Sequence, residues 1–374
     1  MKTRLLTRPG ESASRSGHHV LRSAVWHRTR GRLVAVGAVV LMTLLLSVFL
    51  NPRIAEAGLN VWTSTGPDGG IIYSLAIDPT TPTALYAGTP AGVFKTGDGG
   101  ASWFAMNTGL TNTDVRALAL DATAPTTLYA GTVGGGVFKS TDSSSWVAIN
   151  NGLTDIRVQA LVVDPGASNT LYAGTSGSGV FKSVNGGASW FAASAGTANG
   201  NISSMAIDPL THNTLYAGAA GGVFRSTNGG ASWLGMNTGL VSTSVRAVAI
   251  DPSTPSILYA GTTGGVFRTI NSGTNWAPTN LGAGFSIAAL AIDPSAPGTL
   301  YAATNAGLFK STDSGASTHA IDAGLTNSSV TALLLDPTDA RTLYVGDLRG
   351  RSVHEQQPRY NLEEDQHRPD GSYC

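Results

Sequence analysis

The segment KTGDGGASW, Lys95 to Trp103, places one carboxylate among small residues and next to a tryptophan. In such a loop Asp98 could act as a general acid, a nucleophile or a ligand of a hard cation. Nothing bulky in the segment would keep a substrate away. The alternative is that Asp98 accepts hydrogen bonds from its own turn and has no chemical role.

Repetition of the motif separates these two interpretations. It occurs six times, and the acidic position is occupied by Asp98, Asp142, Asn185, Asn228, Asn271 and Asp313. An asparagine can accept the hydrogen bonds of a turn but cannot replace a catalytic or metal-binding carboxylate. We therefore predict a structural role for this position and no catalytic residue in the motif. The tryptophans that follow are predicted to pack between neighbouring repeat units: Trp103, Trp146, Trp190, Trp233 and Trp276.

The motif belongs to a unit of about 43 residues that recurs between residues 58 and 346,. The tyrosine of LYAG or a near copy marks seven units: Tyr86, Tyr129, Tyr172, Tyr216, Tyr259, Tyr301 and Tyr344. Apolar and polar residues alternate between glycine and proline turns, which indicates short antiparallel strands. Four strands per unit predict an all-β, seven-bladed β-propeller. Because the third-strand motif GVFKS is missing from the last unit, we expect the N-terminal strand at Trp62 to close the ring as the outer edge of the last blade.

Residues 1–57 have a different composition from the repeats. They hold nine Lys and Arg but two Asp and Glu, and residues 33–50 are uncharged and apolar. The small residues Ala55 and Ala57 follow a helix-breaking Asn51-Pro52. This order is typical of a secretory signal cleaved after Ala57, and an uncleaved membrane anchor at residues 33–50 is the alternative. Both predict a helix here and a protein that works outside the cytoplasm, secreted or anchored.

The remaining composition excludes several classes of function. Residues 58–374 have 14 basic and 21 acidic side chains, which argues against a nucleic-acid partner,. The one cysteine, Cys374, gives no disulfide and no thiol site, and the histidines are not spaced as metal ligands, so no metal or cofactor is expected,. Residues 347–374 form an atypical charged tail where the last blade degenerates, either a disordered addition or the result of a frameshift or truncation.

The repeated S/T-x-D-x-G-x-x-W pattern resembles the Asp-box, or bacterial neuraminidase repeat. This family includes sialidases, sortilin-type receptors, xyloglucanases and photosystem II assembly-factor propellers. The resemblance covers nearly all of residues 59–346, and the layout is most similar to that of the assembly factors. It implies a propeller whose boxes lie away from the binding or catalytic face.

A sialidase mechanism implied by this resemblance would need a glutamate, and the repeats contain none before Glu355. A hydrolase of the xyloglucanase type would need two facing carboxylates, for which Asp114 and Asp155 are the candidates among the loop aspartates. We therefore expect a noncatalytic binding or scaffold module, a monomer, with a carbohydrate-active hydrolase as the alternative.

The residues that differ between units are the candidate binding residues. Positions at the start of the first strand supply Tyr73, Arg116, Gln159 and Arg246, and Arg157 lies beside them. We call these five residues the rim. Arginine and tyrosine are frequent anchors at protein interfaces, and arginine binds carboxylates through two hydrogen bonds. The rim is therefore predicted to bind a protein, peptide or polysaccharide, although simple solvation of strand ends would also explain it.

Overall fold

The computed structural model describes residues 62–64, 66–67, 70–197, 200–325, 327–349 and 352–356. These residues form strands and turns, and none of them lies in a helix. In that described part, accordingly, there is no helix with the length and apolar character needed to cross a membrane. The predicted signal or anchor helix at residues 33–50 lies outside the described residues.

The strands follow the repeat. The first is β1 (Thr63–Ser64). Blade 1 contains β2 (Ser74–Ile77), β3 (Leu85–Thr89), β4 (Gly92–Thr96) and β5 (Phe104–Ala105). Blade 2 contains β6 (Val115–Leu120), β7 (Leu128–Thr132), β8 (Gly136–Ser140) and β9 (Val147–Ala148). Blade 3 contains β10 (Val158–Val163), β11 (Leu171–Thr175), β12 (Val180–Ser183) and β13 (Phe191–Ala192).

The second half of the chain repeats this order. Blade 4 contains β14 (Ile202–Ile207), β15 (Leu215–Ala219), β16 (Gly222–Ser226) and β17 (Leu234–Gly235). Blade 5 contains β18 (Val245–Ile250), β19 (Leu258–Thr262), β20 (Gly265–Thr269) and β21 (Ala277–Pro278). Blade 6 contains β22 (Ile287–Ile292), β23 (Leu300–Thr304), β24 (Gly307–Ser311) and β25 (His319–Ala320). The last strands are β26 (Val330–Leu335), β27 (Thr342–Asp347) and β28 (Ser352–Gln356).

Every blade is a four-stranded antiparallel sheet in which consecutive strands pair. The second strand, LYAGT in most blades, is buried along its whole length and forms the centre of the sheet. Its threonine is buried too, and the hydroxyl is satisfied by donating to a glycine carbonyl across the next turn, as Thr132 does to Gly136 at 3.0 Å,. The fourth strand is two residues long and exposed, so the outer edge of each blade offers little backbone for pairing with another chain,.

The number of blades differs from the expectation. A blade is counted here as a sheet of four consecutive strands with an Asp-box turn before the last strand. By this definition the propeller has six blades, so the prediction of seven blades is wrong. The reason lies in the sequence after β27, which has neither the box motif nor a tryptophan. The last three strands therefore cannot complete a blade from their own unit.

A composite sheet stands where a further blade of that kind was expected. Its strand order is β1, β28, β27, β26, and Thr63 is opposite His354 in the pairing of β1 with β28. β28 lies within the atypical tail. The indole of the buried Trp62 donates to the Ile321 carbonyl at 2.8 Å. The innermost strands of all the sheets contact one another in succession, and β26 contacts β2. The N-terminal strand thus joins the two ends of the propeller.

The hydrophobic core lies between neighbouring blades. One cluster joins Tyr129 and Val137 of blade 2 to Val158, Leu171 and Trp190 of blade 3. The other clusters repeat this arrangement around the ring. Burying a large apolar side chain contributes about 1.5–3 kcal/mol, so the contacts between blades are a main source of stability.

Candidate functional site

Asp98 lies in the turn between the third and fourth strands of blade 1. Its Oδ1 accepts hydrogen bonds from the Thr96 hydroxyl at 2.6 Å and from the Ser102 amide at 2.9 Å. Its Oδ2 accepts a bond from the Ser102 hydroxyl. These hydrogen bonds, led by the one from the Ser102 side chain, lower the pKa of Asp98 to about 2. The carboxylate is therefore held by the turn that contains it.

The asparagines make the same turn. Asn185 Oδ1 accepts from the Ser183 hydroxyl and from the Ser189 amide, both at 2.9 Å, and Asn185 Nδ2 donates to Ser189 Oγ at 2.9 Å. The only change is the direction of one bond, because a serine hydroxyl can either donate or accept. Asn228 repeats these three bonds, and Asn271 accepts from Thr269 and from the Asn275 amide.

The two other carboxylates are held in the same way. Asp313 accepts from the Ser311 hydroxyl and the Ser317 amide, both at 2.7 Å, and the bonds from Ser317 and Ser311 lower its pKa to about 2. Asp142 belongs to the box that is one residue shorter. It accepts from the amides of Ser144 and Ser145, which lower its pKa well below the usual value.

Each box tryptophan from blade 2 to blade 5 contacts the preceding blade. The indole nitrogens donate to main-chain carbonyls there at 2.6–2.8 Å: Trp146 to Met106, Trp190 to Ile149, Trp233 to Ala193 and Trp276 to Met236. In blade 1, the Trp103 indole has no partner among the described residues. The residue that occupies the equivalent position before it is Thr65, which lies outside them.

The rim residues lie at the opposite end of the blades, where the chain enters each first strand. Arg116 of blade 2 lies over the ring of Tyr73 of blade 1, with 3.9 Å between its Cζ and the ring centroid. The same guanidinium donates to both carboxylate oxygens of Asp114, at 2.8 and 3.1 Å. The bond to Asp114 raises the pKa of Arg116. The cation is thus fixed between an aromatic ring and a carboxylate.

Arg157 makes the same kind of pair in blade 3. It donates to Asp155 at 3.0 and 3.1 Å, and its main chain pairs with Val133 of blade 2. Burial opposes ionisation of Asp155, but the bonds from Arg157 and its charge outweigh this effect and lower the pKa of the carboxyl. The Asp155 side chain is 5% exposed and that of Arg157 is 55% exposed. Gln159 donates to Ser176 Oγ at 2.9 Å on the same edge.

Arg246 of blade 5 differs from both of these arginines. It occupies the position of Arg116 in its unit, but Ser244 stands where blade 2 has Asp114. Its side chain is exposed, and no ion pair or hydrogen bond joins it to the residues that the structure describes. The structure therefore joins Tyr73 to Arg116 and leaves Arg246 apart from the other rim residues.

The pairing of the rim arginines was missed by the reasoning from sequence. The sequence predicts Arg116 and Arg157 as binding residues of the rim and treats Asp114 and Asp155 separately, as loop carboxylates. The signal was present as the spacing Asp-x-Arg, which also occurs at Asp339 and Arg341. Side chains two residues apart on an extended chain lie on the same side of it. The carboxylate and the guanidinium of an Asp-x-Arg sequence can therefore form an ion pair.

The residues that the structure describes contain no group of three or more His, Cys, Asp or Glu side chains placed to hold a metal ion.

Comparison with known proteins supports the fold. No family model and no curated protein matches the chain. Among solved structures, the GH74 xyloglucanase from Xanthomonas campestris is similar over 78% of this chain, with 20% identity and a TM-score of 0.62. The GH74 enzyme from Niastella koreensis is similar over 78%, with 22% identity and a TM-score of 0.63. In both comparisons this chain spans 53% of the enzyme's length.

A second kind of protein is similar over its full length. YCF48 in a complex with a D1 peptide matches 80% of this chain and 98% of its own, with 17% identity and a TM-score of 0.64. At these identities the similarity concerns the fold. It shows that this chain shares the β-propeller fold of a group that includes both glycoside hydrolases and a peptide-binding protein.

Proposed function

We propose that the chain is an exported, noncatalytic β-propeller that binds an acidic protein or peptide segment at the rim. The observation that carries this proposal is the state of the rim charges. Arg246 is exposed and lacks a partner among the described residues, whereas Arg116 is held in place by Asp114 and Tyr73. Fixed or unpaired guanidinium groups suit carboxylates of a partner, and little conformational freedom is lost when the already fixed Arg116 side chain binds.

The same geometry disfavours the hydrolase. Asp114 and Asp155 are the two loop carboxylates that could form a catalytic pair, and each already accepts two hydrogen bonds from its own arginine. A general acid must hold a proton near neutral pH, which requires a raised pKa. The pKa of Asp155 is lowered instead.

The comparison of sizes also supports a binding role. This chain spans 98% of the YCF48 chain that was solved with a peptide, but about half of the GH74 enzymes. Export rests on the basic N-terminal segment, the apolar residues 33–50 and the Ala55-x-Ala57 pattern,.

The test uses pools of short fluorescein-labelled peptides rich in Asp and Glu, with matched pools in which Asn and Gln replace them. We expect fluorescence anisotropy to show binding of the acidic pool only. Arg246→Ala should weaken it at least about tenfold, because a hydrogen bond to a charged group contributes about 1.5–3 kcal/mol. Arg341→Ala is the control, since it removes an arginine from the turn between β26 and β27, at the end opposite the rim.

Three results would each overturn the proposal. The first is equal binding of the acidic and neutral pools. The second is unchanged binding by a folded Arg246→Ala variant. The third is release of reducing ends from xyloglucan by the wild-type protein that Asp114→Asn abolishes, which would establish the hydrolase.

A further inference from the structure

A cation on the third strand of every blade is opposite the first residue of the fourth strand. The pairs are Lys95 with Phe104, Lys139 with Val147, Lys182 with Phe191, Arg225 with Leu234, Arg268 with Ala277 and Lys310 with His319. In blades 1 to 4 and in blade 6, the cation lies 5.2–5.9 Å from the centroid of the tyrosine ring on the second strand. In these five blades the cation thus interacts with the tyrosine ring of its own blade.

Blade 5 departs from this pattern. In the described part of the chain, Arg268 makes no such contact with Tyr259. Its buried Nε has no hydrogen-bond partner, which is also true of Arg225 Nε in blade 4. The residue opposite is Ala277, where the other blades have Phe, Val, Leu or His. A guanidinium group that does not contact the tyrosine of its own blade can bind an anionic group of a ligand instead.

A groove follows from the small size of Ala277. It has a volume of about 520 Å³ and lies between the outer strands of blade 5 and the box turn of blade 6. The corresponding groove in blade 4, where Leu234 stands in place of Ala277, has about 340 Å³. Pockets for small molecules commonly have about 300–1,000 Å³, so the groove in blade 5 admits a ligand of one or two sugar rings, whereas the groove in blade 4 is near the lower limit of this range.

The walls of the groove carry three kinds of chemistry. Arg268 offers a planar fork that matches a carboxylate,. Asn275 is exposed and offers an amide that can both donate to and accept from hydroxyl groups,. Ala277 and Pro278 supply an exposed apolar surface.

The carboxylate of Asp313 forms part of the opposite wall, on the box turn of blade 6. Its pKa is lowered to about 2 by the bonds from Ser317 and Ser311, so it is negatively charged at neutral pH. It would repel an acidic group and accept hydrogen bonds from hydroxyl groups. The groove therefore suits a ligand with its negative charge at one end and hydroxyl groups at the other.

We propose that this groove binds a uronic acid, the carboxylate-bearing form of a sugar. Arg268 binds the carboxylate, Asn275 and Asp313 bind ring hydroxyls, and Ala277 and Pro278 contact the apolar face of the ring. The site lies at the box end of the blades and is separate from the rim.

The experiment is calorimetric titration of the full propeller with glucuronate and with oligogalacturonate. Glucose and glucose 6-phosphate serve as the neutral and the phosphate-bearing ligands. We expect binding of the two uronic acid ligands and at least about tenfold weaker binding of glucose, which lacks the charged contact. Arg268→Lys should weaken uronate binding about tenfold, because lysine cannot make the two-point contact.

Ala277→Phe is the sharper variant, since it fills the groove with the residue found in blades 1 and 3. Phenylalanine is 68% exposed at Phe104 and 50% exposed at Phe191, so the variant should fold, and uronate binding should be lost. Arg225→Lys makes the same exchange in blade 4 and should leave the affinity unchanged. Absence of oligogalacturonate binding, equal binding of glucose or glucose 6-phosphate, or unchanged affinity in folded Ala277→Phe would each overturn the proposal.

Discussion

The two ends of the propeller hold their carboxylates with different donors. At the box end, Asp98 and Asp313 accept bonds from neutral hydroxyl groups and main-chain amides. At the rim, Asp114 and Asp155 accept bonds from guanidinium groups. Both ends supply hydrogen bonds to the carboxylates, but only the rim uses their negative charge. This difference explains why asparagine replaces aspartate in the boxes.

Within each blade, the box end is a recurring structural element, whereas the rim end differs from one blade to the next. The box turn recurs with interchangeable acceptors, so its chemistry adds little to what one blade does differently from another. The rim is varied: blade 2 has the Asp114–Arg116 pair, blade 3 has Asp155–Arg157, and blade 5 has Arg246 alone. Differences between blades are therefore the places where function can be sought.

The largest effect is expected for a box tryptophan, because the box end owes its stability to burial between blades. Trp190 is 4% exposed, packs against blade 2 and donates to the Ile149 carbonyl. Trp190→Ala should lower the free energy of unfolding by about 3–5 kcal/mol. The measurement is the urea midpoint, followed by far-ultraviolet circular dichroism.

Phe191→Ala is the control for this substitution. Phe191 is the next residue along the chain, but it is 50% exposed, so its removal should leave the midpoint nearly unchanged. Similar midpoints for Trp190→Ala and the wild type would show that the box tryptophans do not hold neighbouring blades together.

An intermediate effect is expected at the rim, where Asp155→Asn removes the charge that faces Arg157. The side chain is buried, and its bonds come from a cation, so the loss should be about 1.5–3 kcal/mol,. Asp114→Asn should cost less, because Asp114 is 32% exposed and water can replace part of the interaction,. Equal unfolding midpoints for wild type and Asp155→Asn would contradict the distinction between the two ends.

Much of the fold could be predicted from the sequence because the same order of strand and turn motifs recurs in every unit. The buried LYAGT strand, the box turn and the strand order follow from local alternation and turn residues. The number of complete blades could not be settled in this way. It depends on whether the segment after β27 forms a third strand and on which segment pairs with that strand. This segment does not repeat the sequence pattern of the other units, so the repeat cannot be used to predict its structure.

Site residues were predictable where they repeat and less so where they do not. The box positions were identified because Asp98 and Asn185 alternate in one motif. The state of the rim was missed because it depends on pairs of side chains, Asp114 with Arg116 and Arg116 with Tyr73 of another blade. The groove at Arg268 was missed as well, since it arises from the absence of a large side chain at Ala277.

The smallest effect is expected for Asp98→Asn, which tests the comparison most directly. At neutral pH the asparagine can make the bonds seen at Asn185, so the free energy of unfolding should change by less than about 0.5 kcal/mol. Acid should separate the two proteins. The pKa of Asp98 is about 2 in the folded protein and near 3.8 when it is unperturbed, so its stabilising contribution is present above pH 4 and is lost as the pH falls through about 2,. The variant has no proton to bind at this position and should lose less stability over the same range. Urea midpoints of both proteins between pH 2 and pH 7 measure this difference, and Asn185→Asp should show the opposite change. A large loss at pH 7 in Asp98→Asn would mean that the box uses the charge of its carboxylate after all, and the contrast between the two ends would fail.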